Sequence, residues 1–133
     1  MAESLEKVLR DTPVSLKVLR VLTEASYDSI LITDASARAK IIYVNQAFRE
    51  LTGYAPSEVI GKTPRILQGP ATDRKVIARL SEVLQSGGKF EGQAINYKKD
   101  GTPFIMYWRV LPVEVGNQIS FWVAIQREGF VIQ

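Results

Sequence analysis

The side chains able to run acid, base or metal chemistry are few in this chain, and they do not gather. Among its 133 residues there is no histidine and no cysteine. That removes His/Cys zinc ligands, a His- or Cys-ligated haem and disulfides. It also removes a Ser-His-Asp triad, a cysteine nucleophile and the histidine a kinase would phosphorylate on itself. Carboxylates remain, but Asp34, Glu50, Glu58, Asp73 and Asp100 each stand where a cap, a turn or solvent accounts for them. No acidic pair is singled out by spacing, so no enzyme is expected.

The elements that must position the remaining groups read clearly. Leu5, Val8 and Leu9 share a face of a helix over Glu3 to Arg10. Thr12-Pro13 reads as an N-cap with proline at the first helical position. The next helix places Val14, Val18, Val21, Leu22 and Ala25 on one stripe, which Leu19 widens, with Leu16 off it and Lys17, Arg20 and Glu24 polar. Such a stripe covers either its own sheet or a partner's. Ser29–Thr33 and Lys40–Val44 read as short strands around a polar turn. Asn45 caps a helix over Gln46–Leu51 that Gly53 ends. Thr63-Pro64 repeats the cap-plus-proline device, so Pro64 is expected to start a helical turn. Thr72 or Asp73 opens a longer helix presenting Val76, Ile77, Leu80, Val83 and Leu84, closed by Gly87-Gly88. Three strands follow: Lys89–Tyr97, Thr102–Val113 and Gln118–Arg127, turned by Lys99-Asp100-Gly101 and by Gly116-Asn117. This order makes an α+β fold with one curved antiparallel sheet.

Composition agrees with one soluble domain. Hydrophobic residues make up 46% and charged residues 23%. The net charge of +3 is spread in mixed-sign groups such as Lys98-Lys99-Asp100, so no nucleic-acid partner is expected. No apolar run approaches the roughly 20 residues that span a bilayer, and no membrane partner is expected. With an acidic start and no signal-peptide core, a cytoplasmic location is the expectation.

Several segments carry a family resemblance. Ile42-Tyr43-Val44-Asn45-Gln46-Ala47-Phe48 with Leu51-Thr52-Gly53-Tyr54, then Ser57–Gly61, lead into Gly61-Lys62-Thr63-Pro64-Arg65-Ile66-Leu67-Gln68. Gly69-Pro70, Thr72-Asp73, Asn96–Gly101 and Val123-Ala124-Ile125-Gln126 continue the series. The chain resembles the light-oxygen-voltage (LOV) branch of the PAS superfamily over roughly residues 26–127. The resemblance implies a PAS fold: a five-stranded antiparallel sheet with short helices on one face. It leaves 1–25 as an N-terminal helical extension and 128–133 as a tail. It also implies that Pro64 replaces the cysteine that bonds to excited flavin in LOV domains.

Strand parity then assigns the faces. In LOV domains the glutamine matching Gln126 faces the flavin, which puts Trp122 and Ala124 on the cavity side with Phe104, Met106, Trp108 and Val110. Ile119, Phe121, Val123, Ile125, Ile105, Tyr107, Arg109 and Leu111 then point outward. The outer apolar group, Ile105, Tyr107, Phe121, Val123 and Ile125, together with Val14, Val18 and Leu22, is the expected interface of a homodimer or of an effector contact. Where LOV domains carry polar or smaller groups, this chain has Thr63, Ser81, Met106, Trp108, Trp122 and Ala124. Arg65, Gln68, Asn96 and Gln126 match the cofactor-binding positions. Met106, Trp108 and Trp122 are expected to fill the cavity, since each aromatic buries about 150–250 Å².

The expected function is a non-enzymatic sensory or signalling module, dimerising or relaying a signal, with no cofactor. The alternative is a flavoprotein photosensor that binds FMN non-covalently and responds by photoreduction. On the filled-cavity reading, Pro64→Cys keeps the fold and creates no light-driven adduct.

Overall fold

The computed structural model describes the backbone of residues 12–130 and the side chains of residues 16–130. The helix expected over Glu3 to Arg10, the side chain of Val14 and the last three residues lie outside that range. The chain runs α1 (Thr12–Glu24), β1 (Ser29–Asp34), β2 (Ile41–Val44), α2 (Gln46–Thr52) and α3 (Pro56–Val59). A 3-10 turn (Pro64–Leu67), α4 (Arg74–Ser86), β3 (Phe90–Tyr97), β4 (Pro103–Val115) and β5 (Gln118–Glu128) complete it. All pairings are antiparallel, and the strand order is β2-β1-β5-β4-β3. The fold expected from the sequence is therefore present. Helix α3 was not anticipated; Pro56 starts it, and Glu58 closes back on the Ala55 amide at 2.9 Å.

Local chemistry explains the boundaries. Asn45 accepts a hydrogen bond from the Phe48 amide at 3.1 Å and caps α2, which ends at Gly53 with φ 80°. Asp73 accepts from the Lys75 amide at 2.9 Å and caps α4. Thr63 is extended before the 3-10 turn, but its hydroxyl makes no capping bond; the turn closes instead through the Ile66 amide on the Thr63 carbonyl at 3.2 Å. Pro64 thus supplies the preset φ without needing a side-chain cap.

The inner face of the sheet is the core face. Buried Leu31, Phe90, Ala94, Phe104, Met106, Trp108, Val110, Trp122 and Ala124 pack there. From the helical side, Phe48, Val59, Leu67 and the half-buried Val76, Ile77, Leu80, Val83 and Leu84 meet them. Parity holds until one interruption. β4 and β5 pair Val113 with Phe121 but Glu114 with Ile119, so Ser120 is an extra residue. That bulge reverses the alternation, and Ile119 turns inward to pack on the core instead of outward as expected.

Helix α1 hangs from two clamps. Tyr43 Oη donates its one proton to Glu24 and lies 2.8 Å from the Thr23 hydroxyl, and Asn45 Nδ2 donates to the Thr23 and Asp28 carbonyls at 2.7 and 3.1 Å. Burial and the Glu24 bond together hold the Tyr43 phenol above its usual pKa. The face this hanging turns towards β1 and β2 is Leu16, Leu19 and Thr23, which line a groove of about 540 Å³ with Ile32 and Tyr43. The sequence stripe is split: Leu19 borders the groove though 52% exposed, Val18 is half-buried, and Val21 and Leu22 are 66% and 63% exposed.

Candidate functional site

Cross-strand register gathers the candidate residues into rows across the inner face. One row runs Ser29–Gln126–Trp108–Gly92, the next Leu31–Ala124–Val110–Phe90, and Thr33–Trp122–Pro112 follows. Opposite these rows lie the 3-10 turn and α4. Between them is a cavity of about 80 Å³, lined by Leu31, Thr33, Ala39, Pro64, Leu80, Leu84, Trp108, Val110, Trp122, Ala124 and Gln126. None of those side chains ionises.

Two buried amides bring polarity to this apolar layer. Gln126 Oε1 accepts from the Ser29 hydroxyl at 2.9 Å. Asn96 lies next to Met106 Sδ, a weak acceptor, but the carbonyls of Leu67 and Ile95 are both 3.2 Å away and draw its amide nitrogen. Both residues are at most 5% exposed. Ser29 was not singled out from the sequence, because a serine opening a strand carries no signal of its own.

The bulky residues sit where parity put them. Met106, Trp108 and Trp122 are 1%, 5% and 8% exposed, and the Trp108 indole leans on Phe90 with centroids 5.2 Å apart. The other candidates are peripheral. Arg65 is exposed on the 3-10 turn, and Gln68 accepts from Arg74 at 2.8 Å rather than lining the cavity. Arg79 stacks over the Phe90 ring and donates to the Glu91 carbonyl at 3.2 Å. Arg74 is the cation that sequence reasoning missed, since directly after a capping Asp73 it reads as ordinary helix surface.

On the outer face, Val123 lies between Ile32 of β1 and Leu111 of β4, with Ile30, Ile125, Val113 and Phe121 around it. Val113 and Phe121 are each 37% exposed. Ile105 and Tyr107 are half-buried beside the Gly129 backbone, and Arg109 and Arg127 interrupt the surface between them and the Val123 group. Arg127 is paired with Asp28 at 2.7 Å. Among the described residues no group of three or more His, Cys, Asp or Glu could hold a metal. No described helix is long and apolar enough to cross a membrane.

Comparisons with known proteins bear on this cavity. A family model for the PAS domain matches residues 28–128. Phototropin-2 of Oryza sativa subsp. japonica is 38% identical over 67% of this chain, but only 10% of its own length is covered. A blue-light-activated histidine kinase of Brucella anthropi is 43% identical over 58% of this chain and 16% of its own length. The chain thus spans a small part of these relatives. A solved structure reported as "Flavin Analogue Sheds Light on Light-Oxygen-Voltage Domain Mechanism" superposes with TM-score 0.78 at 30% identity, covering 86% of this chain and 85% of that one. The LOV domain from the Erythrobacter litoralis EL346 blue-light activated histidine kinase superposes with TM-score 0.72 at 33% identity, covering 76% of this chain and 94% of that one.

These relatives overturn the expectation that no cofactor belongs here. Bulky residues at 106, 108 and 122 led to that expectation, but the chain shares its fold with a domain studied with a flavin analogue and is similar to a kinase named for blue light. The fit is divided: a polar edge is present, while the volume left beside the indoles is far below the roughly 300–1,000 Å³ of a typical small-molecule site. The chain belongs to the PAS domain family, with LOV domains among its relatives.

Proposed function

We propose that this domain is a blue-light sensory module that binds FMN non-covalently and signals without a cysteinyl adduct. The observation that carries the reading is the pair of buried amides, Asn96 and Gln126, retained on the inner sheet face among apolar neighbours. Asn96 is satisfied by the Leu67 and Ile95 carbonyls, and Gln126, on the cavity lining, accepts from the Ser29 hydroxyl; without such partners each buried amide would cost about 1–3 kcal/mol. They would hold the polar edge of the ring, with Ser29 orienting Gln126. Arg65, exposed on the turn that carries Pro64, would pair with the phosphate. When bound, the flavin would supply a light-driven one-electron acceptor that an external donor such as an added amine could reduce; this chain offers no thiol to it.

Flavin-free protein mixed with FMN should acquire a protein-bound blue absorption band at one flavin per chain. Illumination with an added amine donor should bleach that band until air restores it. Gln126→Leu should weaken binding about tenfold, the equivalent of one lost buried hydrogen bond. A chain that takes up no FMN at micromolar concentration would defeat the proposal.

The partner in this reading is a second copy of the chain, docked through the outer sheet face. A contiguous apolar group centred on Val123 supports it, and so do the exposed Val21 and Leu22 of α1. Val123→Glu puts a charge in the middle of that group. Sedimentation should show a dimer for the parent and at least a tenfold weaker dimer for the variant; a parent that stays monomeric at all concentrations counts against it.

A further inference from the structure

We propose that residues 1–11 of this chain fold back along α1 and fill the groove between α1 and the sheet. That segment lies outside the described residues, and the reading does not depend on flavin. The groove is about 540 Å³, and Leu16, Leu19, Ile32 and the Tyr43 ring give it an apolar lining. Leu16 and Leu19 are both more than half exposed, although Tyr43 and Asn45 clamp the end of their helix to the sheet. Apolar surface held open in this way marks a contact.

The chain ahead of α1 has the chemistry and the reach to make that contact. Leu5, Val8 and Leu9 recur at helical spacing, with Glu3 and Glu6 among them. A helix over Glu3 to Arg10 is about 12 Å long at 1.5 Å per residue. The stretch of α1 along the groove, Leu16 to Thr23, is about 10 Å on the same scale. Asp11-Thr12, just before Pro13, makes a short connection of the kind that joins antiparallel helices. Folded back in this way, Leu9 comes beside Leu16 and Leu5 beside Leu19. Glu6 then falls alongside Lys17 and Arg20, which line the groove and have no carboxylate partner among the described residues. A helix this short is marginal alone in water, so it needs such a surface to form. Val21 and Leu22 do not line the groove and stay available to the outer-face contact.

Amide hydrogen exchange on the full chain tests the contact. Amides over residues 5–10 should exchange at least about tenfold more slowly than in a free peptide of residues 1–11. That protection should be unchanged when the protein is diluted about a hundredfold, because the contact lies within one chain. Leu19→Glu puts a charge into the groove at an exposed position and should return the segment to the peptide's rate, whereas Val21→Glu, off the groove, should leave it protected. Leu9→Glu breaks the same contact from the segment's side, and the measurement on the parent needs no variant. Peptide-like exchange in the parent overturns the proposal. Protection that fades on dilution overturns it in favour of a second copy whose segment crosses between chains. Protection that survives both Leu19→Glu and Leu9→Glu also overturns it, because the segment then rests on another surface.

Discussion

Asn45→Ala should lower the stability of the domain by about 3–5 kcal/mol, a fall in Tm of roughly 10–20 °C. No other polar side chain in the described structure joins as many segments. Its Oδ1 accepts from the amides of Ile30 and Phe48 at 2.8 and 3.1 Å, and its Nδ2 donates to the carbonyls of Thr23 and Asp28. The residue is 1% exposed. Truncation strands two amide donors where water does not reach, at about 1–3 kcal/mol each, and removes the cap of α2, worth about 1 kcal/mol. It also frees the end of α1. Asn45→Asp is the informative comparison: it keeps both acceptor functions and loses both donations. Its loss should be about half as large, with protease cleavage near Ser26 rising in both variants. Thermal unfolding within about 1 kcal/mol of the parent for Asn45→Ala would show that these bonds are replaced rather than lost.

The same residue shows how far the sequence could be read. Its role as cap is legible because the partner amide lies three residues away and the cap signal is local. Its role as anchor is not, because the partners 17 and 22 residues back are carbonyls, which every residue carries. The strands were legible for a similar reason. Alternation counted from Gln126 put Trp122 and Ala124 on the inner face, and counting failed only past Ser120, whose type gives no warning of a bulge. For α1, periodicity gives a stripe but not the direction in which the helix is hung. Tyr43 and Asn45 hold the end of the helix, and Leu16 and Leu19 border the groove beside Ile32 while staying 62% and 52% exposed.

The cofactor was the hardest feature to read. Replacing small or polar groups by Met106, Trp108 and Trp122 shifts the volume of a cavity in one direction, and volume alone argues for a filled core. What residue types cannot give is whether a bulky wall is fixed or movable. That depends on what surrounds each indole, such as Phe90 against Trp108 and the roughly 80 Å³ left between sheet and helix, neither of which is visible before the fold is known.

Pro64→Cys should convert the flavin-loaded protein from one with no cysteine photochemistry to one that bleaches reversibly in blue light without an added donor. The expectation of no effect applied to a cavity closed by indoles; a loaded cavity changes its premise. Pro64 lines the same space as Trp108, Trp122 and Gln126, at the first position of the 3-10 turn. Its missing N–H is an orphan donor there in any case, so the substitution should cost no more than about 1 kcal/mol through the unfolded chain. The new side chain would place a thiol on the cavity wall, and a thiol beside an excited flavin supplies what this sequence otherwise lacks. Pro64→Ser is the control: it folds alike, fits alike and offers no sulfur. Most of the blue band should vanish on illumination of the thiol variant and recover in the dark, while the parent and the serine variant keep theirs. Equal behaviour of the thiol and serine variants, both loaded with FMN, would mean that Pro64 does not face the ring and that the pose inferred from Asn96 and Gln126 is wrong.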